Sequence, residues 1–365
     1  MRENFKFAVA CLLGLFSLNS AAADLRCNHV LLKLDDSSAR ANLAIVQGKG
    51  DENSIEAALA LAGNQAILKK TEEFGYDKSR DDFAAAMRAV QSGKEVGKDY
   101  FGLKRLKEQI EETEAALALL HGDGDGLIGR VCEKMRSFLP NDYRDEIGIQ
   151  IVAGGHATGF TFDDEPVFYL AANRIGGDAA GMELITVHEL FHVVQAVRSP
   201  WKLDDIKALK KKNPTRGNVM EHLYNGYLEG GATFVADPSD YSGDGLVVTF
   251  FREGKQQNMK YIKRRFVTFE AYLSQLWYDD EADAEAIYAA GFYDDGPMYY
   301  VGYRMAEALV EQHGQNYLNT ALDQSPAQFF LDYLQLCRSD ETLPCFSANA
   351  ENIIDGITKI QGADG

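Results

Sequence analysis

The hydrophobic positions of the chain follow two different periods. Over residues 54–139 apolar residues recur every three or four positions, which predicts helices separated by polar turns. The repeat of glycine and aspartate at 122–126 interrupts that period and predicts a break. Within residues 146–173 the period becomes two, so 147–152 and 167–170 are expected to be short strands.

Helical spacing returns after residue 178 and stops at Ser199 and Pro200. Further helices are expected at 219–235, 264–277, 300–313 and 327–337. The lysine-rich run 207–212 is expected in a surface loop. These elements predict an α+β, mainly helical protein, with a helical region over 24–140 and a second domain over 141–365 that holds a small sheet.

The first 23 residues have the features of an export signal. Arg2 and Lys6 precede an apolar run over 7–18, and 21–23 are all alanine, as signal peptidase requires small residues. No later stretch approaches the ~20 uncharged apolar residues of a membrane helix. We therefore expect an exported protein, periplasmic or secreted, with no membrane segment after residues 1–23 are removed.

The charge balance limits the class of partner. The chain has 37 Lys and Arg against 55 Asp and Glu, a net charge of −18. Nucleic acids and anionic membranes are bound through basic patches. This balance therefore argues against nucleic acid and membrane surfaces as partners.

Four cysteines follow the predicted signal peptide, at Cys27, Cys132, Cys337 and Cys345. Their spacing does not fit a zinc ribbon, and in an exported protein they are expected to form disulfides. Because Cys337 and Cys345 bracket a short loop with Pro344, that pair is favoured, which leaves Cys27 with Cys132.

One segment combines two histidines and a glutamate at a spacing with chemical meaning. His188-Glu189-Leu190-Phe191-His192 lies within a predicted amphipathic helix. Residues four apart share one face of a helix, so His188 and His192 can bind one zinc ion. Glu189, one position on, can take a proton from a water on that ion as general base.

Catalytic zinc sites take three protein ligands. An extended H-E-x-x-H-x-x-G-x-x-H motif would supply a third histidine, but Gln195 and Arg198 stand at its last two defining positions. In the next predicted helix Glu229 is the favoured ligand, because the two glycines after it let helices approach closely. Glu221 and His222 remain alternatives.

The two segments 188–192 and 229–233 together resemble gluzincin-type zinc metallopeptidases, especially exported bacterial zinc-dependent peptidases whose substrates are uncatalogued. The likeness extends over roughly residues 145–335 and includes the segments 299–303 and 329–333. It implies a peptide or protein substrate and one zinc ion per chain. The implied reaction is hydrolysis of a peptide bond by a zinc-bound water, with Glu189 as base.

The resemblance also implies roles around the metal. A strand before the metal helix would align the substrate, at 153–162 or 167–173. Tyr300 and Tyr303 are the implied donors to the developing oxyanion, with Tyr299 behind them. The chain departs from the thermolysin-like N-E-x-x-x-D pattern, since Leu228 precedes Glu229 and Thr233 stands four positions later. Thr233 or Asp237 is then expected to orient a metal histidine.

Two other features are weaker. Residues 123–128 resemble part of a calcium loop, but His121 and Cys132 occupy ligand positions, which favours a plain turn. His156 follows a predicted strand and is expected at the surface or near the site as an electrophile. Two alternative functions also remain: a zinc hydrolase of non-peptide amides or esters, and a catalytically silent binding protein on the same fold.

Overall fold

A computed structural model describes residues 24–27, 29–139, 146–162, 165–293 and 296–361. The predicted signal peptide at 1–23 lies outside these residues. Within the described ranges, no helix combines the length and the apolar character needed to cross a membrane.

The secondary structure is mainly helical with one small sheet, so the expected α+β class is confirmed. The strands are β1 (Asp24–Cys27), β2 (Val30–Asp35), β3 (Glu146–Val152), β4 (Gly159–Thr161) and β5 (Val167–Ala171). The helices before β3 are α1 (Ser37–Val46), α2 (Glu52–Leu59), α3 (Ala62–Glu73), α4 (Arg80–Gln91), α5 (Leu103–Glu108) and α6 (Ile110–Met135). Those after β5 are α7 (Ala172–Ile175), α8 (Ala179–Arg198), α9 (Leu203–Lys212), α10 (Pro214–Val235), α11 (Leu246–Lys260), α12 (Ile262–Tyr278), α13 (Ala284–Phe292), α14 (Pro297–His313), α15 (Asn316–Ala321), α16 (Pro326–Cys337) and α17 (Ala348–Gln361).

The five strands form one mixed sheet in the order β1-β2-β3-β5-β4. β2, β3 and β5 are parallel, and β1 and β4 pair antiparallel at the two ends of that order. β3 is central, and its Ile147, Ile149 and Ile151 are fully buried. The apolar residues at every second position, which predicted this strand, are thus the ones whose side chains are buried.

The segment 24–140 is not helical throughout, because it begins with β1 and β2. Val30, Leu32 and Leu34 of β2 alternate toward the core. β2 pairs with β1 on one side and with β3, more than a hundred residues later in the chain, on the other. A six-residue alternation gives little local signal, and the distant pairing with β3 is what places this segment inside the sheet. The sheet therefore joins strands from both sides of residue 140.

The break expected at 122–126 is present as a kink. Helix α6 consists of two helical halves that join at Asp123, whose backbone lies outside helical geometry (φ −140°, ψ 26°). The buried Leu120, Leu127 and Ile128 hold both halves against the core.

The loop expected at 207–212 is wrong, because the basic run belongs to helix α9. Acidic residues in the first turn of α9 and lysines in its last turn complement the helix dipole.

Two disulfides link Cys27 to Cys132 and Cys337 to Cys345. These are the pairs that the loop lengths favour. The first joins β1 to α6, and the second closes the segment after α16.

Helices α8, α10 and α14 meet at glycines. A Cβ at Gly230 of α10 would lie 2.2 Å from the Cα of Gly302 on α14, and one at Gly302 would lie 2.0 Å from the carbonyl oxygen of Gly226. On the next position of α10, a Cβ at Gly231 would lie 3.1 Å from Nε2 of Gln195 on α8. Helix α10 is therefore packed tightly between its two neighbours.

Replacing Gly230 by alanine should destabilise the protein, because the backbone of α14 occupies the space a methyl group needs. We expect the free energy of unfolding to fall by about 1–3 kcal/mol in urea denaturation. Gly129 of α6 is the matched control, since a Cβ there meets nothing within 4 Å. Gly129→Ala should leave stability unchanged or raise it by up to ~1 kcal/mol. Equal effects of the two substitutions would contradict the tight crossing.

Candidate metal centre

Helix α8 carries the two histidines on a nearly all-buried surface. The Asp178 side chain caps its first turn by accepting a hydrogen bond from the backbone of Gly181 at 2.8 Å. Thirteen of its residues are buried, among them Glu189. A helix that is buried on most of its faces is fixed in rotation, so it holds its side chains in defined directions.

His188, His192 and Glu229 form the one group of three metal-ligating side chains found among the described residues. Nε2 of His188 and Nε2 of His192 are 3.0 Å apart, and each is 3.3 Å from Oε2 of Glu229. Ligand atoms at ~2.0–2.1 Å from a tetrahedral zinc ion lie ~3.3 Å from one another. The three atoms are therefore spaced as three corners of a zinc tetrahedron.

Oε2 of Glu229 is also a buried acceptor without a well-formed hydrogen bond in the described structure. Such an atom normally has a partner, and a cation between the three ligands would supply one. Two imidazoles and one carboxylate are a zinc-type donor set. The residues present thus fit a zinc ion in spacing and in chemistry.

Without an ion, the charges of the cluster compensate one another. Burial acts to raise the pKa of Glu229, but the charges of His192 and His188 hold it well below its usual range. Burial acts to lower the pKa of His192, but the Glu229 carboxylate outweighs this and raises it to about 9. A bound metal requires a neutral imidazole, so metal binding releases this proton.

Glu189 lies beside the triad and against strand β4. Its side chain is buried, and burial raises its pKa, with Glu229 acting in the same direction and His192, His188 and Lys70 against it. A Cβ at Gly159 of β4 would lie 2.6 Å from Oε1 of Glu189. Only glycine at this position lets the strand pass so close to the carboxylate.

Gln195 orients the second histidine, a contact that the sequence did not suggest. Oε1 of Gln195 lies 2.9 Å from Nδ1 of His192, and its Nε2 donates to the carbonyl of Leu228 at 3.2 Å. One amide thus ties the outer nitrogen of His192 to the backbone next to Glu229. The sequence signal for this contact is that Gln195 follows His192 by three positions, which places both side chains on the same face of the helix.

The tyrosine at the triad is Tyr299. Its ring stacks on that of His188, with centroids 6.3 Å apart and planes 19° apart. Burial first, and then the charge of Glu229, raise the pKa of Tyr299 well above its usual value. The hydroxyl therefore stays protonated and able to donate at neutral pH.

The two tyrosines favoured from the sequence are placed differently. The Tyr300 hydroxyl donates to the carbonyl of Phe251 at 3.3 Å, at the edge of the cleft. The Tyr303 hydroxyl belongs to a separate charged network, in which it lies 2.7 Å from both Asp237 and the ammonium of Lys255. Asp237 is therefore bound to Lys255 and not to a metal histidine, and Thr233 lies at the cleft wall.

Two cavities adjoin the triad, and both reach Gly159, His188, Glu189 and Tyr299. The first, of about 440 Å³, has walls of mainly apolar side chains and is called the apolar cavity here; they include Leu184, Ile185, Ala236, Phe250, Phe251 and Phe292. The second, of about 260 Å³, is called the polar cavity; its wall includes Lys70, Thr161, Tyr224 and Tyr288. All three residues of the triad thus line the polar cavity, and His188 also lines the apolar cavity.

Residues 55–342 match the family described as "Putative zinc dependent peptidase (DUF5700)". The chain belongs to this family. The matched range contains the whole triad and Glu189, so the predicted likeness to zinc-dependent peptidases is confirmed at the level of the family. No curated protein and no solved structure matches the chain.

The remaining candidate residues lie away from the triad. His222 packs among the rings of Phe269, Tyr272 and Phe292, with ring centroids 4.2–6.3 Å away. Glu221 forms an ion pair with Lys210 at 2.7 Å. His156 contacts the carbonyl of Tyr100 at 3.1 Å. None of the three shares the metal group, so Glu229 is the acid that the fold brings to the histidines.

Acidification should destabilise the protein through His222. Burial lowers its pKa to about 4, against the effect of a hydrogen bond to the Phe269 backbone. Between pH 6.5 and pH 4 the unfolded chain therefore binds a proton that the folded protein excludes, and stability falls as pH falls. From pH 7 to pH 5 the metal-free protein should lose about 2 kcal/mol more than the variant His222→Gln.

Urea denaturation at the two pH values measures this difference. The control His121→Gln removes an exposed histidine of α6 and should keep the wild-type pH dependence. If His222→Gln also keeps the full dependence, the buried ring is not its source.

Proposed function

We propose that this chain is an exported, single-zinc metallopeptidase of the gluzincin type. The observation that carries the proposal is the spacing of three ligand atoms, 3.0–3.3 Å apart, beside a buried carboxylate that is not part of the triad. The family description supports zinc and peptide as metal and substrate.

Zinc held by His188, His192 and Glu229 would supply Lewis acidity, both to the scissile carbonyl and to a water molecule. Glu189 is the base that takes the proton of that water, since it adjoins both histidines and its buried carboxylate has a raised pKa. The same carboxyl then gives the proton to the leaving amine. Gln195 keeps His192 in the required orientation throughout.

Tyr299 is the group that we assign to the developing oxyanion. It lines both cavities, its ring is fixed against His188, and its hydroxyl keeps its proton. Tyr300 is engaged with the α11 backbone and Tyr303 with Asp237. An oxyanion donor must be held in place before charge develops, and of the three tyrosines Tyr299 is the one that lines both cavities beside His188.

Strand β4 is the proposed guide for an extended peptide. It stands at the end of the sheet order, while β5 is flanked on both sides, so β4 and not β5 is the edge. Edge strands bind peptides by main-chain hydrogen bonds, with side chains directed into pockets. A peptide beside Gly159 would pass Glu189 and could place a large apolar side chain in the apolar cavity.

Export is part of the proposal. Two disulfides are expected in an oxidising compartment, periplasmic or extracellular, and are rare in the cytosol. The disulfide between Cys27 and Cys132 also joins the sheet to the helix that packs on the metal helix α8.

Hydrolysis of an unbiased peptide library by the zinc-loaded protein tests the function. Wild-type protein should cleave, and Glu189→Gln should lower kcat by about 10²- to 10⁴-fold because the base is lost. The variant should keep one zinc per chain by mass spectrometry, whereas Glu229→Ala should lose zinc at a chelator concentration that the wild type withstands.

Two outcomes would overturn the assignment. Full activity of Glu189→Gln would remove the proposed base. Zinc-loaded wild type that cleaves esters or small amides but no peptide would favour the non-peptide hydrolase instead.

A tyrosine series tests the oxyanion donor. Tyr299→Phe should lower kcat by about 10²-fold with little change in zinc content, because one preorganised donor is lost. Tyr300→Phe and Tyr303→Phe are matched controls on the same helix and should keep kcat within about threefold. A larger loss in Tyr303→Phe than in Tyr299→Phe would contradict the placement.

A further inference from the structure

The polar cavity is distinguished by one cation. Among the described residues of its wall, Lys70 is the single lysine or arginine. Lys70 comes from helix α3, in the region that the sequence presents only as packing helices. Among the described residues before β3, Lys70 is the one that lines either cavity.

Lys70 is held near the cleft by aromatic rings and one acid. Its ammonium lies 5.8 Å from the ring centre of Phe160 on β4 and 5.6 Å from that of Phe74. It also forms an ion pair with Glu73 at 2.8 Å, and the two side chains are 25% and 41% exposed. The ring contacts fix the ammonium beside the strand that we assign to the substrate.

The pair with Glu73 leaves capacity for a second acceptor. An ammonium has three donor hydrogens, and Glu73 takes one. A partly exposed ion pair contributes little net free energy, so a second carboxylate can share or replace Glu73 at small cost. Lys70 is thus available to a ligand in the cavity.

The two cavities differ in the charged side chains of their walls. The carboxylates of the polar cavity are Glu229, a proposed metal ligand, and Glu189, the proposed base, which also lines the apolar cavity. Glu253 lines the apolar cavity, and no lysine or arginine is among the described residues of that wall. A zinc ion on the triad would offset the charge of its carboxylate ligand, so Lys70 makes the polar cavity the more favourable of the two for a negatively charged group of a substrate.

We propose that Lys70 is a specificity residue that binds a carboxylate of the peptide substrate in the polar cavity, with an apolar residue on the other side of the scissile bond. This inference rests on the proposed peptidase function. The carboxylate can come from an Asp or Glu side chain or from the carboxyl terminus of the peptide. Both present the same planar anion to an ammonium.

Matched fluorogenic peptides test the inference. Each carries a large apolar residue on one side of the scissile bond and Asp, Asn or Lys on the other. Wild-type kcat/KM should follow Asp above Asn above Lys. Lys70→Ala should reduce the preference for Asp over Asn by about three- to tenfold, as expected for a partly screened charge pair, with little change for the Asn peptide.

Three further variants separate recognition from indirect effects. Lys69→Ala is the matched control, because Lys69 lies over the ring of Phe162 at 3.9 Å and is not part of the polar cavity wall. It should keep the wild-type preference. Lys70→Arg should keep the preference for Asp over Asn peptides that Lys70→Ala loses. Glu73→Gln should increase this preference, because it removes the competing carboxylate. Unchanged selectivity in Lys70→Ala, or equal loss in Lys69→Ala, would overturn the assignment.

Two further measurements identify the source of the substrate carboxylate and test the role of Lys70 without requiring turnover. Peptides with a free or an amidated carboxyl terminus distinguish a terminal carboxylate from an internal acidic residue. Affinities of the same peptides for zinc-loaded Glu189→Gln are measured by calorimetry, and these do not require turnover. If the wild type cleaves no peptide but Glu189→Gln binds Asp peptides more tightly than Asn peptides, and Lys70→Ala removes that difference, the peptidase proposal fails while the role of Lys70 stands. Equal or undetectable binding of the Asp and Asn peptides overturns the role of Lys70.

Discussion

The metal centre depends on one distance across a helix interface: Glu229 of α10 must bring one carboxylate oxygen to both histidines of α8. That oxygen is 3.3 Å from each imidazole nitrogen. The Glu229 side chain can meet this requirement only when the two helices are close, and α10 also packs closely against α14. Gly230 makes the approach of α14 possible, since a Cβ there would overlap the backbone of Gly302, and a Cβ at Gly231 would crowd the Gln195 side chain on α8. The two glycines after the ligand are therefore part of the metal site, although neither contacts a ligand atom through a side chain.

The same closeness decides the electrostatics. Three ionisable side chains lie together in a largely buried position, where an unpaired charge is costly. In the metal-free protein they compensate one another: the Glu229 carboxylate raises the pKa of His192 to about 9, and the imidazoles keep Glu229 ionised. The cluster is thus stable before an ion binds, which preserves its geometry. The pairing also means that a metal competes with a proton, so we expect affinity for zinc to decrease as the pH falls.

The sequence predicted the part of the site that depends on local spacing. His188, Glu189 and His192 are one helical turn, and Glu229 is recognisable by the small residues after it. Tyr299 was ranked behind Tyr300 because each residue rotates the helix by ~100°, and only the packing of α14 decides which tyrosine faces the metal. In the sequence Gln195 only shows that the third histidine of the extended motif is missing; its role depends on the contact with the carbonyl of Leu228, which comes from a different helix. For the fold, the sequence predicted strands 147–152 and 167–170 and the later helices. It did not predict β2, whose place inside the sheet depends on pairing with β3, far along the chain.

The amino-terminal helices take part in the site through the sheet. β2 pairs with β3, β3 with β5, and β5 with β4, so the position of the edge strand beside Glu189 depends on residues 30–35. Helix α3 then adds Lys70 directly to the wall of the polar cavity. A zinc triad with its base suffices for hydrolysis, but it does not choose among peptides. Lys70, the residue proposed to make that choice, lies on α3 and outside both helices that carry the triad, so its substitution is expected to change selectivity without altering the three ligands.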